Sequence, residues 1–193
     1  SIATETLKGK GYRIPGGLDL LDKEKILKSL HPHLSSQLKV DILLSVDSTN
    51  NYLIDLSNQQ ILSDYHVCLS EMQLSGRGRR GRVWISPFAK NIYLSLGFTL
   101  VAGVEQLSGL SLVVGIAVAK ALEALGVQDV GLKWPNDIFV GGKKIAGVLL
   151  ELSGEATTSW NVICGIGLNV SMSKDEGAKI DQQWGVLGEY IDC

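Results

Sequence analysis

Four of the five arginines in this 193-residue chain, Arg77, Arg79, Arg80 and Arg82, fall within the run RGRRGR. Gly76, Gly78 and Gly81 interleave with them, so the backbone can turn tightly while several guanidinium forks and N–H groups face one polyanion. A phosphate-bearing ligand suits that chemistry. A bare arginine run is equally a solvated basic loop or a nucleic-acid patch. Gln73 ahead of it and the apolar VWISPF behind it suit a loop folded over a site. Gly76, Gly78 and Gly81 also match G-x-G-x-x-G, but the intervening positions are cationic. RVWISPF then brings a β-branched pair and a proline where a dinucleotide motif opens a helix. There is no G-x-x-x-x-G-K-[ST] element, so any bound ATP is not held on a P-loop.

A strand over residues 160–170 would carry Val162, Cys164, Ile166, Leu168 and Val170 on an apolar face. Its other face holds Ile163, Gly165, Gly167 and Asn169 and is mostly bare. Such a floor takes either a flat ligand or a closely packed helix. In KKIAGVLLE, Gly147 and Leu149 share a face with Lys143 and Lys144 at its start. A lysine there can meet a carboxylate or phosphate at the mouth of the floor, although exposed turn lysines are the plainer reading. KWPND sets Asn136 and Asp137 at the end of a buried strand, a common place for site residues and also ordinary turn chemistry. His31 and His33 flank a proline and His66 opens a strand, so no H-E-x-x-H or Ser-His-Asp order assembles. Cys68, Cys164 and Cys193 lie too far apart for a C-x-x-C pair. Neither histidine-based proton transfer nor a protein-bound zinc is expected.

The elements that must hold these residues follow from periodicity. Residues 91–100 alternate strictly, which predicts a strand burying Ile92, Leu94, Leu96, Phe98 and Leu100. The opposite face, Asn91, Tyr93, Ser95, Gly97 and Thr99, is smaller and more polar. A short amphipathic helix starts at Asp22 and stops at Pro32. A strand over residues 39–46 precedes a helix capped by Asp47, Ser48 or Thr49. An apolar helix spans 107–125, a strand runs to Trp134, a hairpin turns at Gly141 and Gly142, and strands cover 144–152 and 160–170. Six or seven strands and three or four helices without βα alternation predict an α+β fold, a mixed β-sheet flanked by helices. With 18 Lys plus Arg against 20 Asp plus Glu, the net charge of -2 argues against a surface devoted to nucleic acid or anionic membrane. Lys120 and Glu123 interrupt the apolar helix, so it reads as core and not as a membrane span. The polar, Gly-rich start and scattered cysteines fit a reducing cytoplasm.

The stretches SVDSTN, EMQLSGRGRRGRVWISPFAKNIYLSL, KWPNDIFVGGKKIAGVLLE and GIGLNV, in this order and spacing, resemble the catalytic domain of biotin protein ligases, specifically the bacterial enzymes that double as repressors. The resemblance implies a class II aminoacyl-tRNA synthetase-like fold and a two-step reaction. Biotin and ATP, with Mg²⁺, give biotinyl-5′-adenylate and pyrophosphate, and a lysine of a biotin carboxyl carrier protein, that of acetyl-CoA carboxylase, then attacks the mixed anhydride. By the same resemblance, Ser48, Thr49, Gln73, Gly76, Arg77, Gly147, Leu149, Gly165 and Gly167 match biotin-holding positions. Lys144 matches the lysine at the biotin carboxyl and α-phosphate. Arg79 and Arg80 fall in the phosphate-binding lid, and Trp84, Asn136, Asn169 and Trp184 match the nucleotide side. Asp137 is a candidate for orienting Mg²⁺ or the incoming amine.

The resemblance further implies that residues 1–21 are the remnant of a winged-helix DNA-binding domain and its linker. Residues 22–193 would be the catalytic domain, incomplete at its C-terminus and without the family's SH3-like domain. Operator DNA would be bound only through a complete winged helix, so this chain alone is not expected to bind it specifically. A homodimer is implied too, with the apolar residues 138–140 offering a sheet edge. The rivals are a lipoate or octanoate ligase and a noncatalytic biotin-sensing DNA-binding regulator. Gln73 followed by the four-arginine loop is the biotin-type signature, and the lipoate-type Arg-Gly-Gly with a nearby histidine is absent.

Overall fold

A computed structural model describes residues 4–15, 17–101, 109–153 and 159–191. The start inferred for the apolar helix at Leu107, and Cys193, lie outside the described residues. Strands β1 (Glu5–Leu7) and β2 (Gly11–Arg13) form an antiparallel hairpin separate from the main sheet. Helix α1 (Lys23–Ser29) begins as its sequence dictates, with the Asp22 carboxylate accepting from Lys25 N at 3.1 Å. Pro32 does more than end α1, since at the first position of α2 (Pro32–Ser35) its missing N–H costs nothing.

The main sheet has seven strands: β3 (Lys39–Leu43), β4 (His66–Ser70), β5 (Asn91–Leu100), β6 (Val130–Lys133), β7 (Asp137–Val140), β8 (Lys143–Ser153) and β9 (Trp160–Asn169). Their order is β3-β4-β5-β9-β8-β7-β6, parallel only between β3 and β4 and antiparallel elsewhere. This is the mixed sheet the element pattern implied. Helix α3 (Thr49–Asn58) makes the β3–β4 crossover, and α4 (Leu110–Ala124) leads into β6. Gly141 and Gly142, at φ 55° and 78°, supply the two left-handed positions of the tight β7–β8 turn.

Three expectations are corrected by the packing. The smaller, more polar face of β5 is the more deeply buried one, with Tyr93 1% and Ser95 0% exposed; α3 lies across Ser95, and the Tyr93 hydroxyl is taken up by Pro87 O. The apolar face, Ile92, Leu94 and Leu96, is half-buried against two other clusters, one around Leu122, Val127 and Ile145 and one around Val40 and Leu69. The run 138–140 is no sheet edge either, since β7 lies between β6 and β8 with Ile138 0% and Val140 2% exposed. The outer strands are β3 and β6, and β6 is largely exposed rather than buried. Among the described residues no helix is long and apolar enough to cross a membrane.

Candidate active site

The first turn of α3, the arginine loop and the glycine-bearing face of β8 and β9 converge on one cleft of about 1030 Å³. Ser48, Thr49, Gln73, Arg77, Arg79, Arg80, Trp84, Asn136, Asp137, Lys144, Gly147, Leu149, Gly165 and Gly167 all line it. Gly76, Asn169 and Trp184 do not.

At one end of the cleft the groups are neutral and polar. A parallel bridge between Val46 and Gln73 carries the β3–β4 pairing past both strand ends and brings Gln73 to the start of α3. Thr49 N and Oγ1 donate to Gln73 Oε1 at 2.9 and 3.1 Å, and Gln73 Nε2 donates to Ser86 Oγ at 3.2 Å, so both ends of the amide are fixed. Ser95 Oγ lies 2.7 Å from Thr49 Oγ1 and 2.5 Å from Asn50 Oδ1, with one proton to serve the two. Burial pushes the Tyr93 hydroxyl well above its ordinary pKa, leaving a neutral donor to Pro87 O at 2.9 Å.

The other end is cationic. Opposite Phe139 and Ile138 the β7–β8 register shifts, and Ile145 is the extra residue between Lys144 and Ala146. That bulge turns Lys144 to the face of Gly147 instead of the opposite one. Lys144 Nζ lies 2.8 Å from Asp137 Oδ1, off the hydrogen-bonding directions of that oxygen, with both side chains largely buried. The same ammonium stands 5.5 Å from the centre of the Trp84 ring. Lys144 is held along its backbone as well, donating to Gln183 O at 3.2 Å and accepting from Gly185 N at 3.0 Å. Trp184 packs its ring on Gly177, and Asn169 Nδ2 donates to Gly185 O at 3.2 Å, so these two residues hold the segment beside Lys144.

The bare floor is filled, and by side chains of this protein. A Cβ on Gly167 would stand 2.6 Å from Trp84 Nε1, and one on Gly165 would overlap the Asn50 amide. Among the described residues the buried Trp84 Nε1 has no hydrogen-bond partner. In the loop, Gly76 O accepts from Trp84 N at 2.8 Å and Gly78 N donates to Arg82 O at 2.7 Å, which cinches the base. At the tip, Arg80 adopts φ 57° ahead of Gly81 at φ 72°. Arg79 Nη1 reaches Asn136 Oδ1 at 3.4 Å, and Asn136 Nδ2 donates to Val148 O at 2.8 Å.

Sequence reasoning missed Asn50 and Glu151. Glu151 accepts from Asn50 Nδ2 at 2.7 Å and from Arg77 Nη2 at 2.9 and 3.0 Å. The one signal for Asn50 was Gly165 itself, since a side chain-free strand position implies a neighbour that fills it. Arg82 and residues 179–182 also line the cleft. Among the described residues no three of His, Cys, Asp or Glu form a metal-binding group, and Asp137 and Asp181 are the carboxylates lining the cleft.

Residues 43–169 match the model of the Biotin/lipoate A/B protein ligase family. The chain is 42% identical over 184 residues to the "Bifunctional ligase/repressor BirA" of Salmonella typhimurium, covering 95% of this chain and 55% of the relative. It therefore spans about half the length of that relative. The biotin protein ligase of Leishmania major in complex with biotinyl-5-AMP superposes with a TM-score of 0.64 at 26% identity, over 78% of this chain and 64% of that one. The Aquifex aeolicus biotin protein ligase in complex with biotin and ATP gives a TM-score of 0.62 at 33% identity, over 78% and 60%. With the family match spanning most of the sheet and the whole arginine loop, the chain belongs to the biotin/lipoate A/B protein ligase family.

Proposed function

We propose that this chain carries the catalytic unit of an ATP-dependent biotin protein ligase. The observation that carries this reading is the division of one cleft into a neutral hydrogen-bonding end at Thr49, Asn50 and Gln73 and a cationic end at Lys144, Arg79, Arg80 and Arg82. A cyclic urea, with two N–H donors and one carbonyl acceptor, suits the first end, and a carboxylate meeting a triphosphate suits the second. The names of the solved relatives, with biotin, ATP or biotinyl-5-AMP bound, support the same reading.

In the first step a biotin carboxylate oxygen attacks the α-phosphorus of ATP, and the bond to the β-phosphate oxygen breaks to release pyrophosphate. Lys144 sits where it can screen the two anions as they approach, and the loop arginines can hold charge that develops on the leaving group. Mg²⁺ would supply charge screening for the triphosphate, and Asp137 and Asp181 are the lining carboxylates that would help hold it. In the second step a carrier-protein lysine attacks the anhydride carbonyl, AMP leaves, and the amine loses its proton. The carrier fitting this reading is the biotin carboxyl carrier protein of acetyl-CoA carboxylase. The longer relative's name adds a repressor role, for which the β1–β2 hairpin would be the closing wing of a DNA-binding domain and operator DNA the partner. Self-association through a sheet edge would use β3 or β6. A reducing cytoplasm fits the buried thiols Cys68 and Cys164, which burial pushes up to about 12.

Pyrophosphate release with biotin, ATP and Mg²⁺, followed by labelling of a carrier domain, tests the proposal, with lipoate run in parallel. Biotin-dependent release and labelling are expected. Faster release with lipoate, or none with biotin, would overturn it.

A further inference from the structure

The four loop arginines are not equivalent. Among the described residues Arg77 alone of the four is paired to a carboxylate, its Nη2 lying 2.9 and 3.0 Å from the two oxygens of Glu151, which stands 74 residues further along the chain on β8. Glu151 does not line the cleft; its neighbours Arg77 and Asn50 do. Its Oε2 also accepts from Asn50 Nδ2 at 2.7 Å, and Asn50 Nδ2 reaches Leu149 O at 3.4 Å. Asn50 Oδ1 in turn faces Ser95 Oγ, which faces Thr49 Oγ1 and through it Gln73. One continuous polar chain thus runs from the arginine loop, across the face of the sheet at Gly165, to the amide that opens the neutral end of the cleft.

We infer that Glu151 is a positioning and specificity-determining residue, which neutralises Arg77 and holds Arg77 and Asn50 in place so that this end of the cleft selects an uncharged head group. The inference rests on the function proposed above. An arginine left unpaired at this end would favour anions there and compete with the cationic end for carboxylate and phosphate. Pairing it to Glu151 removes that charge while its planar fork still defines the wall. Gly76 to Gly78 brackets the pinned arginine, and Arg79, Arg80 and Arg82 beyond it are left to face anions.

Glu151→Gln isolates the charge, since the amide oxygen can still accept from Asn50 while the carboxylate facing Arg77 is gone. Calorimetric titration with biotin should show affinity weakened by about 10-fold or more, as expected for a charged hydrogen bond lost at a site. The KM for biotin should rise with little change in the KM for ATP. In an Arg77→Ala background Glu151→Gln should add little. Glu151→Asp, which keeps the charge but draws it back, should fall between the two and serves as the reading if the Gln variant does not fold. Wild-type biotin affinity in Glu151→Gln, or an equal loss with and without Arg77, would overturn the inference while leaving the ligase reading intact. A wild-type chain that takes up no biotin would overturn the proposed function, and this inference with it.

Discussion

Lys144 Nζ stands 2.8 Å from Asp137 Oδ1, across a strand pair whose bulge has turned the lysine into the cleft. The pairing keeps the ammonium compensated in a largely buried place until an incoming anion takes over from the carboxylate. Lys144→Ala should therefore depress adenylate formation by ~10²-fold or more, the scale of losing one stabiliser of transition-state charge. Pyrophosphate release from the variant measures this. A rate near that of the wild type would sink the role.

Gly167 and Trp84 define the floor. Gly167→Ala places a methyl group where the indole lies, so the ring must shift, at about 1–3 kcal/mol for overpacking. For a chain of this size that corresponds to a melting temperature lower by several degrees. Thermal melts of the variant in wild-type and Trp84→Ala backgrounds check the cause. The loss should largely vanish once the indole is gone, and an equal loss in both would point elsewhere.

The sequence made some of this arrangement legible because the physics is local. Ten strictly alternating residues bounded β5, and Ser48 was among the three residues expected to cap α3, at whose first turn Thr49 and Asn50 stand. What escaped was non-local or leaves no compositional mark. One extra residue, Ile145, reverses which face Lys144 takes, and an isoleucine in a bulge reads like an isoleucine in a strand. The Arg77–Glu151 pair joins positions 74 residues apart, and nothing near either announces the other. Hydrophobicity alone makes Ile92, Leu94 and Leu96 the core face of β5, but α3 packs on the opposite face, where Asn50 satisfies the Ser95 hydroxyl and Pro87 O the Tyr93 hydroxyl. The expected β7 edge failed because β6, short and exposed, still pairs with it.

Beneath α3, the fully buried His66 puts Nε2 2.7 Å from Asp41 Oδ2, and Tyr52 donates to the same oxygen at 3.0 Å. Burial alone would raise the Asp41 carboxyl, but the His66 and Tyr52 contacts together hold it below its ordinary value. A depressed carboxylate contributes stability that is present above its unfolded-state pKa, about 4, and is lost as pH falls through the lower folded-state value. Melting curves from pH 7 down to pH 3 should fall less steeply on the acid side for Asp41→Asn than for the wild type, from a lower starting point at pH 7. Parallel curves would exclude Asp41 as a source of the acid limb.

Arg79 separates making the adenylate from keeping it. Its guanidinium reaches Asn136 Oδ1 at 3.4 Å, and Asn136 is pinned to β8 through Val148 O, so the contact closes the loop tip across the cleft mouth. A closed lid shields an anhydride from water and stray amines after pyrophosphate has left. Arg79→Gly should therefore still form biotinyl-adenylate but release it faster and label unrelated proteins more. Asn136→Ala should reproduce part of the leak, because it removes the latch and leaves the cation. Preforming the adenylate, diluting it, and following dissociation alongside labelling of an unrelated protein distinguishes the two roles. Unchanged release with abolished synthesis would assign Arg79 to the first chemical step, since a latch acting only on the closed state can slow escape without touching the rate at which the phosphorus is attacked.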